Sequence, residues 1–350
     1  MMRVVFDCER MKYVNTGLYY YCLNLGKALR DTMSREELAV FIPDHVRATF
    51  EPTTACIAQH SLQKFLMPSV SQYNIWHSTY QSSQYLPQRN RKIKVLLTIH
   101  DLNFLHEDKP THKKARCLAQ LQQNIDRSDA IVCISEFTRK DVLAHCDTGN
   151  KPVYVIYNGT NRLHQPILMP RSYRPRIPFL FNVGVITRKK NQHQILPLLQ
   201  KNPSLELILA GRHEDKDYAH FLRQHASELR VDDRMHLVNE ITEEEKSWYY
   251  HNCQAVVMPS LAEGFGLPVT EAMSVGKPVF LSRHTALPEI GKDLAFYFQD
   301  FDNMHHDFMM GMQQYKRAGN EMKEALKAYS AQFNWEDSAR KYMNVYRSLV

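Results

Sequence analysis

Met258-Pro259-Ser260-Leu261-Ala262-Glu263-Gly264-Phe265-Gly266-Leu267-Pro268-Val269-Thr270-Glu271-Ala272-Met273 sets two carboxylates, Glu263 and Glu271, on either side of a glycine-bearing turn. The run before it, Ala255-Val256-Val257-Met258, is short, apolar and backed by turn residues, the pattern of a buried strand. The run after it predicts a helix over 268–275, with Pro268 in its first turn and Gly276 near its end. A strand that turns through glycines into a helix start presents N–H groups the helix does not use, together with a partial positive charge. Such a place suits an anion such as a diphosphate. Glu263, before the helix, and Glu271, inside it, could each accept hydrogen bonds from sugar or ribose hydroxyls. Spacing alone leaves a plainer alternative open, a buried strand–loop–helix whose glutamates cap or pair with lysines.

The order of residues goes further than their spacing. The segment closely resembles the Glu–seven residues–Glu signature of retaining glycosyltransferases of family 4, including the Pro-Ser-x-x-Glu-Gly-Phe-Gly-Leu-Pro lead-in. The match continues in register through Gly276-Lys277-Pro278-Val279 and Ala286-Leu287-Pro288-Glu289. The resemblance implies an α/β chain of the GT-B type, with two facing Rossmann-like domains, an interdomain cleft, a nucleotide-sugar donor and no required metal. It implies that Glu263 binds the donor sugar and Glu271 the ribose, with Gly264, Phe265, Gly266 and Leu267 bordering the diphosphate.

Composition is that of an ordinary globular protein. The 350 residues are 44% hydrophobic and 23% charged, long enough for two separate cores. The opening Met1-Met2-Arg3-Val4-Val5-Phe6-Asp7 has too short an apolar run for a signal peptide, and no stretch approaches the roughly 20 apolar residues of a membrane span. These features predict a cytoplasmic protein, at most peripheral to the inner membrane face. Seven scattered cysteines without a CxxC pair predict reduced thiols, with no zinc site and no disulfide framework. Residues 1–165 carry 21 Lys and Arg against 15 Asp and Glu, whereas 166–350 carry 23 against 22. The excess gathers at Arg89, Arg91, Lys92 and Lys94 and again at Lys113, Lys114 and Arg116. A basic face can attract anionic lipid or a phosphate-bearing acceptor, though a solvated surface explains it as well. Nucleic acid is not an expected partner, because no stacking aromatics interleave the cations.

Apolar strand-like runs alternate with helical patterns, which predicts parallel sheets. Strands are expected at 3–6, 95–99, 130–134 and 153–156 in the first half, with helices at 18–30, 112–126 and 136–145. A proline-rich stretch over 159–178, with Pro166, Pro170, Pro175 and Pro178, reads as a linker. Strands follow at 179–183, 205–210, 235–237, 255–258 and 279–281. The domains expected are therefore 1–165, an acceptor domain, and 166–333, a donor domain. By the resemblance, a helix at about 334–350 crosses back onto the first domain with Trp335 as a packing anchor.

Val183-Gly184-Val185-Ile186-Thr187-Arg188-Lys189-Lys190-Asn191 ends a strand at a glycine and follows it with a basic cluster. Cations there would neutralise the charge that develops on a departing diphosphate. The stretch resembles the family's Arg-Lys-Asn phosphate motif, with Lys189 where arginine is usual. Lys190 and Lys189 are the expected phosphate ligands, with Arg188 either supplying a guanidinium or facing water. Gly17, in Val14-Asn15-Thr16-Gly17-Leu18-Tyr19, aligns with the last glycine of the family's donor loop, although a plain turn explains it nearly as well. His100-Asp101 follows the strand at 95–99, at the kind of strand end where α/β ligands gather. In the family a histidine here lies near the donor sugar and acceptor; His100 could hydrogen-bond a sugar hydroxyl while Asp101 fixes its tautomer or caps the next turn. The alternative is a histidine held by a neighbouring carbonyl. Gly211-Arg212 is another strand-end glycine expected near the nucleotide. Ser135 reads as a helix N-cap as well as a family landmark. Asn158-Gly159-Thr160 fits a glycosylation sequon but is also a common turn.

The expected activity is transfer of a sugar with retained configuration, from GDP-mannose by preference, to a glycan or lipid-linked glycan in cell-surface polysaccharide or lipopolysaccharide synthesis. The Glu-Gly-Phe-Gly-Leu-Pro and His-Asp-Leu forms look most like bacterial polysaccharide mannosyltransferases. UDP-sugars remain open as donors, and a catalytically silent subunit of a glycosyltransferase complex is the rival from another class. A missing GxGxxG counts against hydride transfer.

Overall fold

The computed structural model describes residues 2–14, 16–67, 70–87, 92–163 and 167–350. Asn15, Arg89, Arg91 and Pro166, named above, lie outside the described residues. The chain divides into two compact units, one formed by Met1–Asn161 with Phe333–Val350 and the other by Arg162–Gln332.

The first unit is built on seven parallel strands, β1 (Val4–Asp7), β2 (Leu38–Ile42), β3 (Ala55–Ala58), β4 (Ile75–Ser78), β5 (Lys94–Ile99), β6 (Ala130–Cys133) and β7 (Val153–Val155), in the order β3-β2-β1-β4-β5-β6-β7. Helices α1 (Gly17–Thr32), α2 (Asn103–His106), α3 (Thr111–Asp126) and α4 (Glu136–His145) supply crossovers. Every residue of β1, β2, β4 and β6 is buried, the mark of strands covered on both faces. β2, β3 and β4 are additions to the expected strands. Leu38-Ala39-Val40-Phe41-Ile42 carries the continuous apolar signal of a buried strand. Ala55-Cys56-Ile57-Ala58 and Ile75-Trp76-His77-Ser78 are short, and the second ends in polar residues.

The second unit repeats the plan with β8 (Phe179–Val183), β9 (Glu206–Ala210), β10 (Met235–Val238), β11 (Ala255–Met258), β12 (Val279–Leu281) and β13 (Phe296–Tyr297), all parallel, in the order β10-β9-β8-β11-β12-β13. Its helices are α5 (Ile195–Gln200), α6 (Lys216–Glu228), α7 (Glu243–Asn252), α8 (Leu267–Ser274), α9 (Leu287–Gly291), α10 (Met304–Ala318) and α11 (Asn320–Ser330). The core joins Leu180, Leu207, Leu209 and Val257 of the sheet to Leu199 of α5, Leu222 of α6 and Phe308 of α10. The sheet order reverses between β8 and β11, and strands on either side of such a reversal splay their carboxyl ends into a crevice.

The last helix, α12 (Trp335–Leu349), belongs to the first unit. Its buried residues Trp335, Ser338, Ala339, Tyr342, Met343, Val345 and Tyr346 recur at helical spacing and form one stripe. That stripe lies on α1 and the sheet. The Tyr342 hydroxyl is 2.7 Å from that of Tyr21, and the Tyr346 hydroxyl is 2.7 Å from Nδ1 of His77. Asn334 caps the helix by accepting the N–H of Asp337 at 2.7 Å. No described helix is long and apolar enough to cross a membrane, and none of the seven cysteines is in a disulfide.

Candidate functional site

In the second unit, β8 ends at Val183 and the chain turns at Gly184 into a short 3-10 turn, Arg188–Lys190. β11 ends at Met258, and residues 259–266 lead to α8, whose N-cap, Gly266, has a φ of 104°. The two turns are tied together, since the N–H of Leu261 donates to the carbonyl of Lys189 at 2.8 Å. Lys190 lies along Gly184, and a Cβ there would come within 3.5 Å of its Cε. Gly184 itself is crossed by the next strand's exit. A Cβ on Gly211, whose φ is 149°, would sit 2.0 Å from the Gly184 carbonyl oxygen, so neither a side chain nor another backbone path fits.

That close packing brings Lys190 to Glu263. The Lys190 ammonium donates to Oε1 of Glu263 at 2.6 Å, with the two side chains 14% and 11% exposed. Glu263 is held from the far side, its N–H donating to Oγ1 of Thr285 at 2.8 Å. Burial opposes ionisation of Glu263, yet the Lys190 charge and hydrogen bond outweigh it and hold the carboxyl below its ordinary range. An ammonium has three donors, so bonding Glu263 leaves Lys190 two more to offer. This pairing also agrees with the plainer reading, in which the glutamate neutralises a lysine. What distinguishes the pair is its place at the carboxyl ends of β8 and β11, beside the start of α8.

Glu271 lies one helix turn into α8 and is 3% exposed. Two residues that sequence reasoning missed hold it. The Tyr250 hydroxyl donates to Oε2 at 2.8 Å, and the Lys246 ammonium stands 3.5 Å from Oε1. Burial works against the charge on Lys246, but Glu271 and Glu243 outweigh it and raise its pKa. Both residues sit on α7, in Lys246-Ser247-Trp248-Tyr249-Tyr250, which carries no spacing or motif that could have linked them to Glu271.

Arg188 is exposed. Its guanidinium lies 5.7 Å from the Tyr218 ring centroid and 5.8 Å from that of Phe221, a cation–π arrangement on α6. Lys189 contributes its carbonyl to the turn and a favourable charge to Glu263. Arg212, after Gly211, pairs with Glu214 at 3.2 Å and Glu240 at 3.5 Å.

In the first unit, the order reverses between β1 and β4, and Thr79 just past β4 closes that gap by donating to the Asp7 carbonyl at 2.6 Å. The carbonyl of Thr79 accepts from Nε2 of His100 at 2.7 Å, which assigns the ring proton to Nε2 and leaves Nδ1 as an acceptor. Burial pushes the His100 pKa down to about 4, the Thr79 carbonyl opposing, so the ring is neutral near pH 7. Tyr21 meets the imidazole edge-on at 4.6 Å, and the Gln81 side-chain oxygen accepts the His100 N–H at 3.2 Å. Asp101 caps the following turn, its Oδ1 accepting the N–H of Asn103 at 3.0 Å, while a carbonyl, not this carboxylate, holds the ring. Gly17 opens α1 in an exposed position where a Cβ would meet nothing within 4 Å, so the local structure shows no reason for glycine there. Ser135 is the N-cap of α4, accepting the Thr138 N–H at 3.1 Å. Among the described residues, no group of three or more His, Cys, Asp or Glu is placed to hold a metal ion.

Comparison with known proteins agrees with this arrangement. The family "Glycosyl transferases group 1" matches residues 173–331, and "Glycosyltransferase Family 4" matches residues 20–162. O-antigen chain mannosyltransferase B of Escherichia coli is 25% identical, the alignment covering 99% of this chain and 100% of that protein. O-antigen chain mannosyltransferase RfbU of Salmonella typhimurium is 26% identical, over 59% of this chain and 57% of its own. Among solved structures, Anabaena Alr3699/HepE in complex with UDP-glucose superposes with a TM-score of 0.76 at 16% identity, covering 99% of this chain and 100% of that one, a likeness of fold. Two parallel Rossmann-like sheets, the paired Glu263 and Lys190 at a strand-order reversal, and matches that together span both units place the chain in glycosyltransferase family 4, as a retaining enzyme of the GT-B class.

Proposed function

We propose that the protein moves a mannosyl group from GDP-mannose to a glycan acceptor, free or lipid-linked, in the synthesis of a cell-surface polysaccharide or lipopolysaccharide. The observation that carries the site assignment is the Lys190–Glu263 pair at 2.6 Å beside the start of α8. The mannose preference draws support from the full-length relative named as a mannosyltransferase.

In this reading the second unit binds the donor. The two remaining N–H groups of Lys190, the Lys189 charge and the N–H groups around Gly264, Phe265, Gly266 and Leu267 receive the diphosphate. Gly184 and Gly211 let the nucleotide approach the backbone. Glu263 accepts hydrogen bonds from donor sugar hydroxyls, with Lys190 holding it ionised. Glu271, oriented by Tyr250 and Lys246, receives the ribose hydroxyls. Arg188 is left out of the phosphate set because its guanidinium faces Tyr218 and Phe221. The first unit serves the acceptor, and Nδ1 of His100 accepts from a sugar hydroxyl. Departure and attack take place on one face of the sugar. The bond from the anomeric carbon to the phosphate oxygen breaks as the acceptor oxygen bonds to that carbon, and the phosphate oxygen takes the acceptor proton. Stabilising charge on the leaving diphosphate is then the main work asked of the protein, and no metal is required.

A second reading, a UDP-sugar donor, is favoured by the fold-level likeness to a protein crystallised with UDP-glucose. Thermal shift and donor hydrolysis with GDP-mannose, GDP-fucose, UDP-glucose, UDP-galactose and UDP-N-acetylglucosamine, in EDTA, separate the two. Stabilisation and slow release of GDP from GDP-mannose alone is the expected result. Selective response to a UDP-sugar would transfer the assignment to that donor, and silence from a folded sample would favour a non-catalytic subunit.

A further inference from the structure

Thr285, in the loop between β12 and α9, has a φ of 52°, in the left-handed region that a Cβ disfavours. Among the described residues three other non-glycines have a positive φ, Asn191, Arg230 and Lys292, and Thr285 alone of the four is β-branched. A branched Cβ makes this conformation costlier, whereas glycine adopts it without strain. The turn itself therefore gives no reason for a threonine. Strain of this kind persists where the surrounding structure holds it, and it gathers at functional sites.

What the side chain does is hold Glu263. Oγ1 of Thr285 accepts the Glu263 N–H at 2.8 Å, and the next N–H, of Ala286, reaches the Glu263 carbonyl at 3.4 Å. The peptide groups on both sides of Glu263 are thus tied to residues 285 and 286. That matters because Gly264 follows Glu263, and a glycine does little to fix the path of the chain beside it. Two more bonds fasten the same two loops. The Ser282 N–H donates to the Met258 carbonyl at 3.1 Å, and the Ser282 hydroxyl donates to the Ser260 carbonyl at 2.5 Å. On the other side, Leu261 donates to the Lys189 carbonyl at 2.8 Å. The stretch 258–263 is pinned between the exits of β8 and β12, and the strained threonine supplies the pin at the carboxylate-bearing end.

We propose that Thr285 is a positioning residue for sugar transfer. Its backbone stays in the left-handed region so that its hydroxyl fixes the Glu263 main chain, and through it the carboxylate, against Lys190 and the donor sugar. The proposal rests on the assignment of Glu263 to the donor sugar. Displacing an aligning group by about 1 Å can cost about a hundredfold in rate, so a single hydrogen bond to its main chain is enough to matter.

Thr285→Gly, Thr285→Ala and Thr285→Ser separate positioning from folding. Thr285→Gly should melt at or above the temperature of Thr285→Ala, because glycine relieves the backbone. Turnover should not follow that order. GDP-mannose hydrolysis should fall about tenfold or more in both variants, and Thr285→Ser, which keeps the hydroxyl, should recover most of it. Wild-type turnover in Thr285→Gly, or an equal loss in Thr285→Ser, would overturn the proposal. Glu263→Gln in the same assay tells that failure from failure of the donor assignment, which falls, and this proposal with it, if Glu263→Gln keeps full turnover. A second measurement needs no donor. In urea unfolding, Lys190→Met should lower the midpoint less in the Thr285→Gly background than in the wild-type chain, because a loosened Glu263 meets Lys190 less well. Equal shifts in the two backgrounds would overturn the proposal even where no donor is hydrolysed.

Discussion

At the scale of single residues, the Lys190–Glu263 pair ties function to stability. A lysine facing water could be removed without cost, but the Lys190 side chain is 14% exposed and its ammonium stands 2.6 Å from a nearly buried carboxylate. Lys190→Met should lower donor turnover by about a hundredfold or more and cost roughly 1–3 kcal/mol in urea unfolding, because a mostly buried Glu263 oxygen loses its hydrogen-bond donor. Adding Glu263→Gln should restore much of the stability and none of the turnover. Wild-type turnover in Lys190→Met would remove Lys190 from the phosphate set. Asp7 makes a second case. Burial drives its carboxyl up to about 8, against the Glu9 N–H that Oδ1 accepts at 2.9 Å, and the neighbouring Glu9 carboxylate adds to the rise. Between about 4 and 8 the folded chain therefore keeps a proton that the unfolded chain has lost, so this group's contribution to stability falls as pH rises through that window. Asp7→Asn should raise the melting temperature at pH 8 and lose that advantage towards pH 4, at up to about 1.4 kcal/mol per pH unit. A variant whose advantage instead grows in acid would refute the assignment of a protonated Asp7.

At the scale of elements, α12 is fastened to the first unit by polar contacts inside an apolar setting. His77 bonds Tyr346 and the Thr98 hydroxyl at 2.7 and 2.8 Å, and Thr98 reaches Tyr342 at 3.1 Å, which in turn meets Tyr21. Tyr21 also packs against the His100 ring, so the helix that arrives last in sequence bears on the imidazole through one intervening side chain. The start of that helix requires Gly159. A Cβ there would fall 2.4 Å from the Trp335 nitrogen and 2.6 Å from its Cγ, contacts that backbone cannot yield. Gly159→Ala should therefore destabilise by roughly 2–4 kcal/mol, read by urea unfolding. A neutral result would mean that residues 334–336 can shift without loss of the helix.

At the scale of the whole molecule, the protein is two parallel sheets, each with its strand order reversed once near the middle. The local part of this was written in residue order. Continuous apolar runs exposed β5, β6, β8, β11 and β12 to reading, because strands covered on both faces carry no polar alternation. The segment from Ala255 to Ser274 declared a strand, a turn and a helix start, and the family resemblance rested on the same residues. β3, β4 and the two-residue β13 escaped because a short or polar run has too little pattern to separate a strand from a loop. The partners of the site residues were not legible either. Nothing near Glu271 in sequence points to Tyr250 or Lys246, nothing near His100 points to Tyr21 or the Thr79 carbonyl, and nothing near Arg188 points to the Tyr218 and Phe221 rings. The sequence by itself determined which residues are chemically able to hold an anion and which runs must be buried, since hydrophobicity, charge and turn chemistry are local properties. Which carboxylate meets which cation, and which histidine nitrogen keeps its lone pair, was decided by tertiary structure, because those contacts join residues dozens of positions apart through the order in which strands assemble.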